Sequence, residues 1–107
     1  MTTVRIEPGA CGFVTTVRAE AAGRRRVRLS LESDCEAVRE LGRRLEELDL
    51  RQVVGTGFGQ GPVFAAGRES LKHASCPVVS GLLKAAEVAL GLNLPRQARI
   101  TFLEDQA

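Results

Sequence analysis

The spacing of the apolar residues changes abruptly near residue 33, and this change constrains the fold more than any other feature of the chain. In residues 25–32, Val27, Leu29 and Leu31 alternate strictly with polar residues, the pattern of a strand with one buried face. Apolar residues then recur every three or four positions, which predicts an amphipathic helix over 34–48 with the stripe Val38, Leu41, Leu45 and Leu48. A chain that contains both periods must bury helices against a sheet.

The rest of the chain repeats these two patterns. Alternation predicts strands over 2–7 and 12–20 and a last strand over 97–103, where Ala98, Ile100 and Phe102 alternate with polar residues. A second helix is predicted over 77–90, with a proline in its first turn and Gly91 after its end. We therefore expect one α+β domain over 1–107, an antiparallel sheet of three to four strands with two main helices packed on one face.

A glycine-rich segment, residues 55–67, separates the two predicted helices. It contains five glycines but neither the Gly-Lys-Ser/Thr ending of a phosphate-binding loop nor a G-x-G-x-x-G turn that opens a helix. We therefore expect a mobile flap that lies over the cysteine site, not a nucleotide-binding loop.

Composition narrows the class of protein. The formal net charge is only +2, and Trp and Tyr are absent, so a nucleic-acid surface is not expected. No apolar run is long enough to span a membrane, and the first residues lack the basic and apolar regions of a signal peptide. Cytoplasmic residence follows as an expectation. In that compartment the three cysteines are expected to be thiols or metal ligands rather than disulfide partners.

The three cysteines fall at joints between predicted elements. Cys11 lies in the turn that opens the second strand, Cys35 in the first turn of the first helix, and Cys76 at the start of the second helix. A helix N-terminus presents unpaired N–H groups and the positive end of the dipole, which favours a thiolate. Because no C-x-x-C spacing exists, a shared site must be assembled by the fold. The alternative is that the cysteines are unlinked and structural.

Short motifs around these cysteines resemble known proteins. The stretches PGACGF, SDCE and HASCPVVS follow one another in an order that resembles the NifU-like N-terminal scaffolds of iron–sulfur cluster assembly, and Ser75-Cys76-Pro77 repeats the core of the related TSCPAD motif. The resemblance covers roughly residues 1–90 and implies that Cys11, Cys35 and Cys76 hold an iron–sulfur cluster or zinc. The chain departs from the scaffold pattern at Phe13, where those proteins have Asp, and at His73, which lies three residues before its cysteine.

These departures leave the fourth ligand open. His73, Asp34, Glu36 or an exogenous group are the candidates, so the predicted metal site consists of Cys11, Cys35, Cys76, His73 and Asp34. The alternative function is a non-catalytic interaction domain on the same fold, with structural cysteines and a binding surface on the sheet or the glycine-rich flap. A thiol enzyme is a third reading, but no group that would orient the single histidine is visible. Protein partners or a homo-oligomer are expected, and nucleic acid and membrane are not.

Overall fold

Four antiparallel strands form one sheet in the order β1-β2-β3-β4 within residues 1–104, the part of the chain that the computed structural model describes. The last residues of the predicted domain, 105–107, lie outside it. The strands are β1 (Thr2–Ile6), β2 (Thr15–Ala21), β3 (Arg26–Ser33) and β4 (Glu47–Asp49). Residues 1–104 also contain four helices, α1 (Glu36–Arg44), α2 (Leu50–Val54), α3 (Gly61–Ser70) and α4 (Val78–Ala89). This is the α+β architecture that the two apolar periods predict.

Strand register fixes the two faces of the sheet. Val17 of β2 pairs with Val4 of β1 and Leu31 of β3, so these three side chains point to the same face, the core face. The opposite face carries mainly charged and hydroxyl residues that stay in water, including Arg18 and Arg28. Alternation in the sequence therefore reports correctly which side of each strand is buried.

Both predicted helices pack on the core face. In α4, a Cβ added at Gly81 would overlap the end of the Ile6 side chain, so glycine at this position lets the helix pack directly on Ile6 of β1. In α1, a Cβ at Gly42 would lie 3.2 Å from that of Leu31 on β3. Among residues 1–104, no helix has the length and apolar character needed to cross a membrane.

The first predicted helix, 34–48, is too long. Its apolar stripe is buried as expected, with Leu41 at 0% and Leu48 at 2% exposure, but α1 ends at Arg44. Residues Glu47–Asp49 leave the helix and pair with Arg26–Arg28 as strand β4. This pairing places Leu48 beside Val27 in the core, and Glu47 forms ion pairs with two arginines of β3. Apolar residues with helical spacing can therefore continue from a helix into a strand when both elements face the same core.

The predicted flap over 55–67 is wrong in its second half. A turn closed by the Gln60 N–H donating to the Gly57 carbonyl (3.1 Å) leads into α3, which has a proline at its start. Val63 and Ala66 are buried on this helix, and Gly67 packs against Val79 of α4. The apolar residues of α3 are few and stand among glycines, so the helical spacing was missed. Only residues 55–60 form a loop.

The predicted last strand, 97–103, is also wrong. Residues 94–103 have no regular secondary structure and lie exposed outside the sheet, and the fourth strand is β4 instead. By contrast, α4 matches the helix predicted over 77–90. It ends at Ala89, and Gly91, two residues later, has a φ of 76°, in the left-handed region that favours glycine.

Candidate functional site

Two of the three cysteines lie in chain segments that leave the sheet at the same end. Ile6 pairs with Thr15, and Thr15 pairs with Ser33, so these residues form one row across β1, β2 and β3. Cys11 lies in the loop of residues 7–14, which joins Ile6 to Thr15. Cys35 follows Ser33 by two residues and precedes α1. Both cysteines therefore belong to connections that leave the sheet at this end, called here the cysteine end.

The third cysteine-bearing connection starts α4 at the same end. Gly81, in the first turn of α4, rests on Ile6 at the end of β1. The following residues Leu82 and Ala85 are completely buried, and α4 packs on β1 and β2. Cys76 precedes α4 by two residues, and its backbone N–H donates to the His73 carbonyl in a tight turn (3.2 Å).

The cysteines differ in burial. Cys35 and Cys76 are half-buried and pack against the hydrophobic core, whereas Cys11 is exposed, and all three are free thiols. Cys35 is the N-cap of α1, and its backbone N–H donates to Ser33 Oγ (3.1 Å). Two sulfurs thus lie against one core, each just before a helix, while the third lies in solvent.

The structure does not bring these residues close enough together to form a metal centre. Within residues 1–104, no three His, Cys, Asp or Glu residues lie close enough together to hold a metal ion. His73 and Asp34, the predicted fourth ligands, are both exposed. The expected convergence of three sulfurs in one small site is therefore absent from this conformation, although their connections share one end of the sheet.

The loop that carries Cys11 stands clear of the rest of the molecule. Gly9 and Gly12 flank the cysteine with φ angles of 93° and 74°, both in the left-handed region. A Cβ added to either glycine would meet nothing within 4 Å. The Gly12 N–H donates to the Gly9 carbonyl (3.0 Å), so the loop is a local turn that protrudes from the cysteine end.

Glu36, another candidate for the fourth ligand, pairs with two arginines on the surface of α1. Arg39 donates to its Oε2 (2.9 Å) and Arg43 to its Oε1 (3.0 Å). The hydrogen bond from Arg43, followed by the charge of Arg39, holds the pKa of Glu36 below its ordinary value. Both carboxylate oxygens therefore have cationic partners in this conformation.

Sequence reasoning missed a buried hydroxyl at the cysteine end. Thr15 is completely buried on the core face, beside Ile6 in the row that defines this end, and its Oγ1 has no hydrogen-bond partner among the described residues. Buried hydroxyls are nearly always satisfied, so each exception calls for an explanation. The signal was present in the sequence, because Thr15 is a polar residue in phase with the buried Val17 and Ala19.

Comparison with known proteins assigns a family. No curated protein matches the chain, and no solved structure matches it. One family model does match, over residues 2–102, which includes all four strands, all four helices and the exposed segment after α4 up to Phe102. The chain belongs to this family, described as a family of unknown function, DUF6951.

Proposed function

We propose that this protein binds zinc or an iron–sulfur cluster through thiolates at the cysteine end. Cys35 and Cys76 are the ligands already held against the core, and Cys11 joins them when the 7–14 loop closes over this end. The observation that carries the proposal is topological: the connections that hold all three cysteines meet one end of the sheet. The resemblance to cluster-assembly scaffolds agrees with it.

The donor chemistry fits a soft metal. Thiolates suit zinc and iron–sulfur clusters, and three of them leave one position for His73 or an exogenous group. Metal binding commonly orders a site that is open in the apo protein, because the ligands are brought together by the metal itself. A protruding, glycine-flanked loop is the segment best able to move in this way.

The unpartnered Thr15 hydroxyl adds a second reason to look here. A hydroxyl donates well to a thiolate or sulfide, and a group outside the thiolate ligands that does so tunes a metal site. In this proposal Thr15 orients or stabilises the bound sulfur atoms and is not itself a ligand.

Cobalt(II) titration of the reduced protein under anaerobic conditions tests the proposal. Cobalt replaces zinc and gives intense thiolate charge-transfer bands, so we expect saturation at one ion per chain. Cys11→Ser, Cys35→Ser and Cys76→Ser should each weaken these bands and the affinity, whereas Ser75→Ala, beside Cys76, serves as the matched control and should leave both unchanged. Absence of charge-transfer bands with cobalt, together with failure to reconstitute a cluster from iron and sulfide, would overturn it.

A second candidate function is a protein-interaction domain with structural cysteines. Phe58, in the 55–60 loop, is 95% exposed, and its ring packs against that of Phe64 with the centroids 5.3 Å apart. Aromatic residues, phenylalanine among them, are enriched at the centres of protein interfaces. A chelator separates the two functions: it should lower the melting temperature of the isolated protein if metal is bound and leave it unchanged if the cysteines are only structural.

A further inference from the structure

The segment of residues 95–103 has the pattern of a strand but no sheet to join. Ala98, Ile100 and Phe102 alternate with polar residues, and Ile and Phe favour strands. Ile100 is nevertheless 88% exposed and Phe102 94% exposed. The family match extends through Phe102, so most of this segment belongs to the domain itself. We expect an exposed apolar segment of this kind to be covered by a partner in the functional state of the protein.

Hydrogen bonds order the end of α4, from which this segment emerges. The N–H groups of Gly91 and Leu92 donate to the Val88 and Glu87 carbonyls (3.0 and 2.8 Å), which ends the helix in a Schellman motif. The Asn93 side-chain amide donates to Glu87 Oε1 (2.9 Å). Beyond this ordered turn, residues 95–103 are exposed and pair with no strand of the described chain.

The sheet offers one edge of suitable length for such a segment. Strand β1 lies at an end of the strand order, and no strand of residues 1–104 pairs with its outer edge. The other edge strand, β4 (Glu47–Asp49), is three residues long, and α2 begins directly after it. An unpaired edge presents free backbone N–H and C=O groups to any extended chain nearby.

Apolar surface borders the free edge of β1. Val4 faces the core side but is only half-buried. Val88 lies seven residues after Gly81, on the same side of α4, and Gly81 rests on Ile6, so Val88 also lies towards β1 and is half-buried. A strand added here, with Ile100 and Phe102 on the core side, would extend the apolar layer over both valines.

We infer that two copies of this chain exchange the 95–103 segment, each adding it as a fifth strand to β1 of the other. A second copy is the occupant that supplies both the segment and the edge, and a reciprocal exchange closes with two-fold symmetry and leaves neither exposed. A buried Phe alone contributes about 150–250 Å². With Ala98, Ile100 and the strand backbone, each chain approaches the roughly 800 Å² per partner of a standard interface.

Sedimentation equilibrium of the full chain tests this inference. We expect a dimer, and we expect Phe102→Asp to raise its Kd by about a hundredfold. The matched control is Val54→Asp, because Val54 is also an exposed apolar residue (45%) but ends α2, which follows β4 at the opposite edge of the sheet. Val54→Asp should remain dimeric, and both variants should keep the circular dichroism spectrum of the parent protein. A wild-type monomer, or a dimer that Phe102→Asp leaves intact, would overturn the inference.

A peptide experiment identifies the edge. A synthetic peptide of residues 95–103, added to the isotope-labelled Phe102→Asp variant, should shift the amide resonances of β1 (Thr2–Ile6) and those near Val88. Shifts confined to the 55–60 loop or to α3 would contradict the assignment of the edge. Absence of any shift at millimolar peptide would contradict the exchange.

Discussion

At the scale of single residues, Thr15 is the position where stability and function are expected to oppose each other. Its hydroxyl is completely buried without a partner among the described residues, and an unsatisfied buried polar group costs about 1–3 kcal/mol. Valine has the same shape without that group. We expect Thr15→Val to raise the free energy of unfolding of the metal-free protein by about 1 kcal/mol, measured by urea denaturation.

The neighbouring residue provides the control. Thr16 is half-exposed on the opposite face of β2, so Thr16→Val should change neither the unfolding free energy appreciably nor the affinity for cobalt. Thr15→Val, in contrast, should weaken cobalt binding if the hydroxyl donates to a bound thiolate. A loss of metal-free stability in Thr15→Val would show that the hydroxyl has a partner in solution.

Glu36 gives a pH-dependent prediction at the same scale. Its pKa is lowered in the folded protein, first by the hydrogen bond from Arg43, so its contribution to stability is complete above the unfolded pKa and is lost as the pH falls through the folded pKa. We expect the carboxyl resonance of Glu36 to titrate below the ordinary glutamate range, and Arg43→Ala to raise its pKa. Arg44→Ala is the control, because Arg44 pairs with Glu40. An equal shift in both variants would contradict the assignment.

At the scale of elements, the contact between α4 and β1 places the start of α4, and with it Cys76, at the cysteine end. A Cβ at position 81 would overlap Ile6 Cδ1, and overpacking costs about 1–3 kcal/mol. Alanine favours a helix over glycine by roughly 1 kcal/mol, which offsets part of this cost. We therefore expect Gly81→Ala to lower the free energy of unfolding by up to about 2 kcal/mol, measured by urea denaturation.

The exposed neighbour Ser80 serves as the control on the same helix. Ser80→Ala should leave stability unchanged or slightly higher, because nothing is packed against that position and alanine is the better helix former. Combining Gly81→Ala with Ile6→Ala should cost less than the sum of the two single changes, since each removes the other's clash or cavity. A Gly81→Ala variant more stable than the parent protein would mean that α4 sits farther from β1.

The elements that could be predicted from sequence are those whose own residues specify them. Alternation identified three strands and their buried faces, and helical spacing with Pro77 and Gly91 identified α4 almost to the residue. Two of the three errors have one physical origin, which is that periodicity does not specify the partner against which a segment packs. Leu48 is buried on a strand instead of the predicted helix, and residues 97–103 have a strand pattern without a partner in their own chain.

The candidate site was harder to predict for the same reason. Placement of Cys35 and Cys76 at helix starts follows from local sequence and is found in the structure. Their separation from Cys11 depends on how far a glycine-flanked loop extends, which no local pattern specifies. The phase of Thr15 with Val17 and Ala19 indicates its burial, but no sequence pattern indicates that its hydroxyl lacks a hydrogen-bond partner among the described residues.

At the scale of the whole molecule, the proposed metal site and the proposed dimer interface lie next to each other. The cysteine end is bounded by Ile6, the last residue of β1, and β1 is also the edge proposed to accept the exchanged segment. A dimer formed in this way would bring a second chain alongside the start of α4 and the base of the 7–14 loop. Metal binding and dimerisation are nevertheless separable, because Phe102→Asp leaves all three cysteines in place.

Metal and acid-labile sulfide analysis of the protein, purified anaerobically under reducing conditions, tests the central claim most directly. Thiolate ligation predicts one zinc ion or one iron–sulfur cluster per chain in the wild-type protein and a loss of that metal in Cys35→Ser and Cys76→Ser. Retention of metal in both variants would place the ligands elsewhere. A metal-free wild-type protein that also fails to take up zinc, cobalt or a reconstituted cluster would contradict the claim, and its cysteines would then be structural residues of an interaction domain.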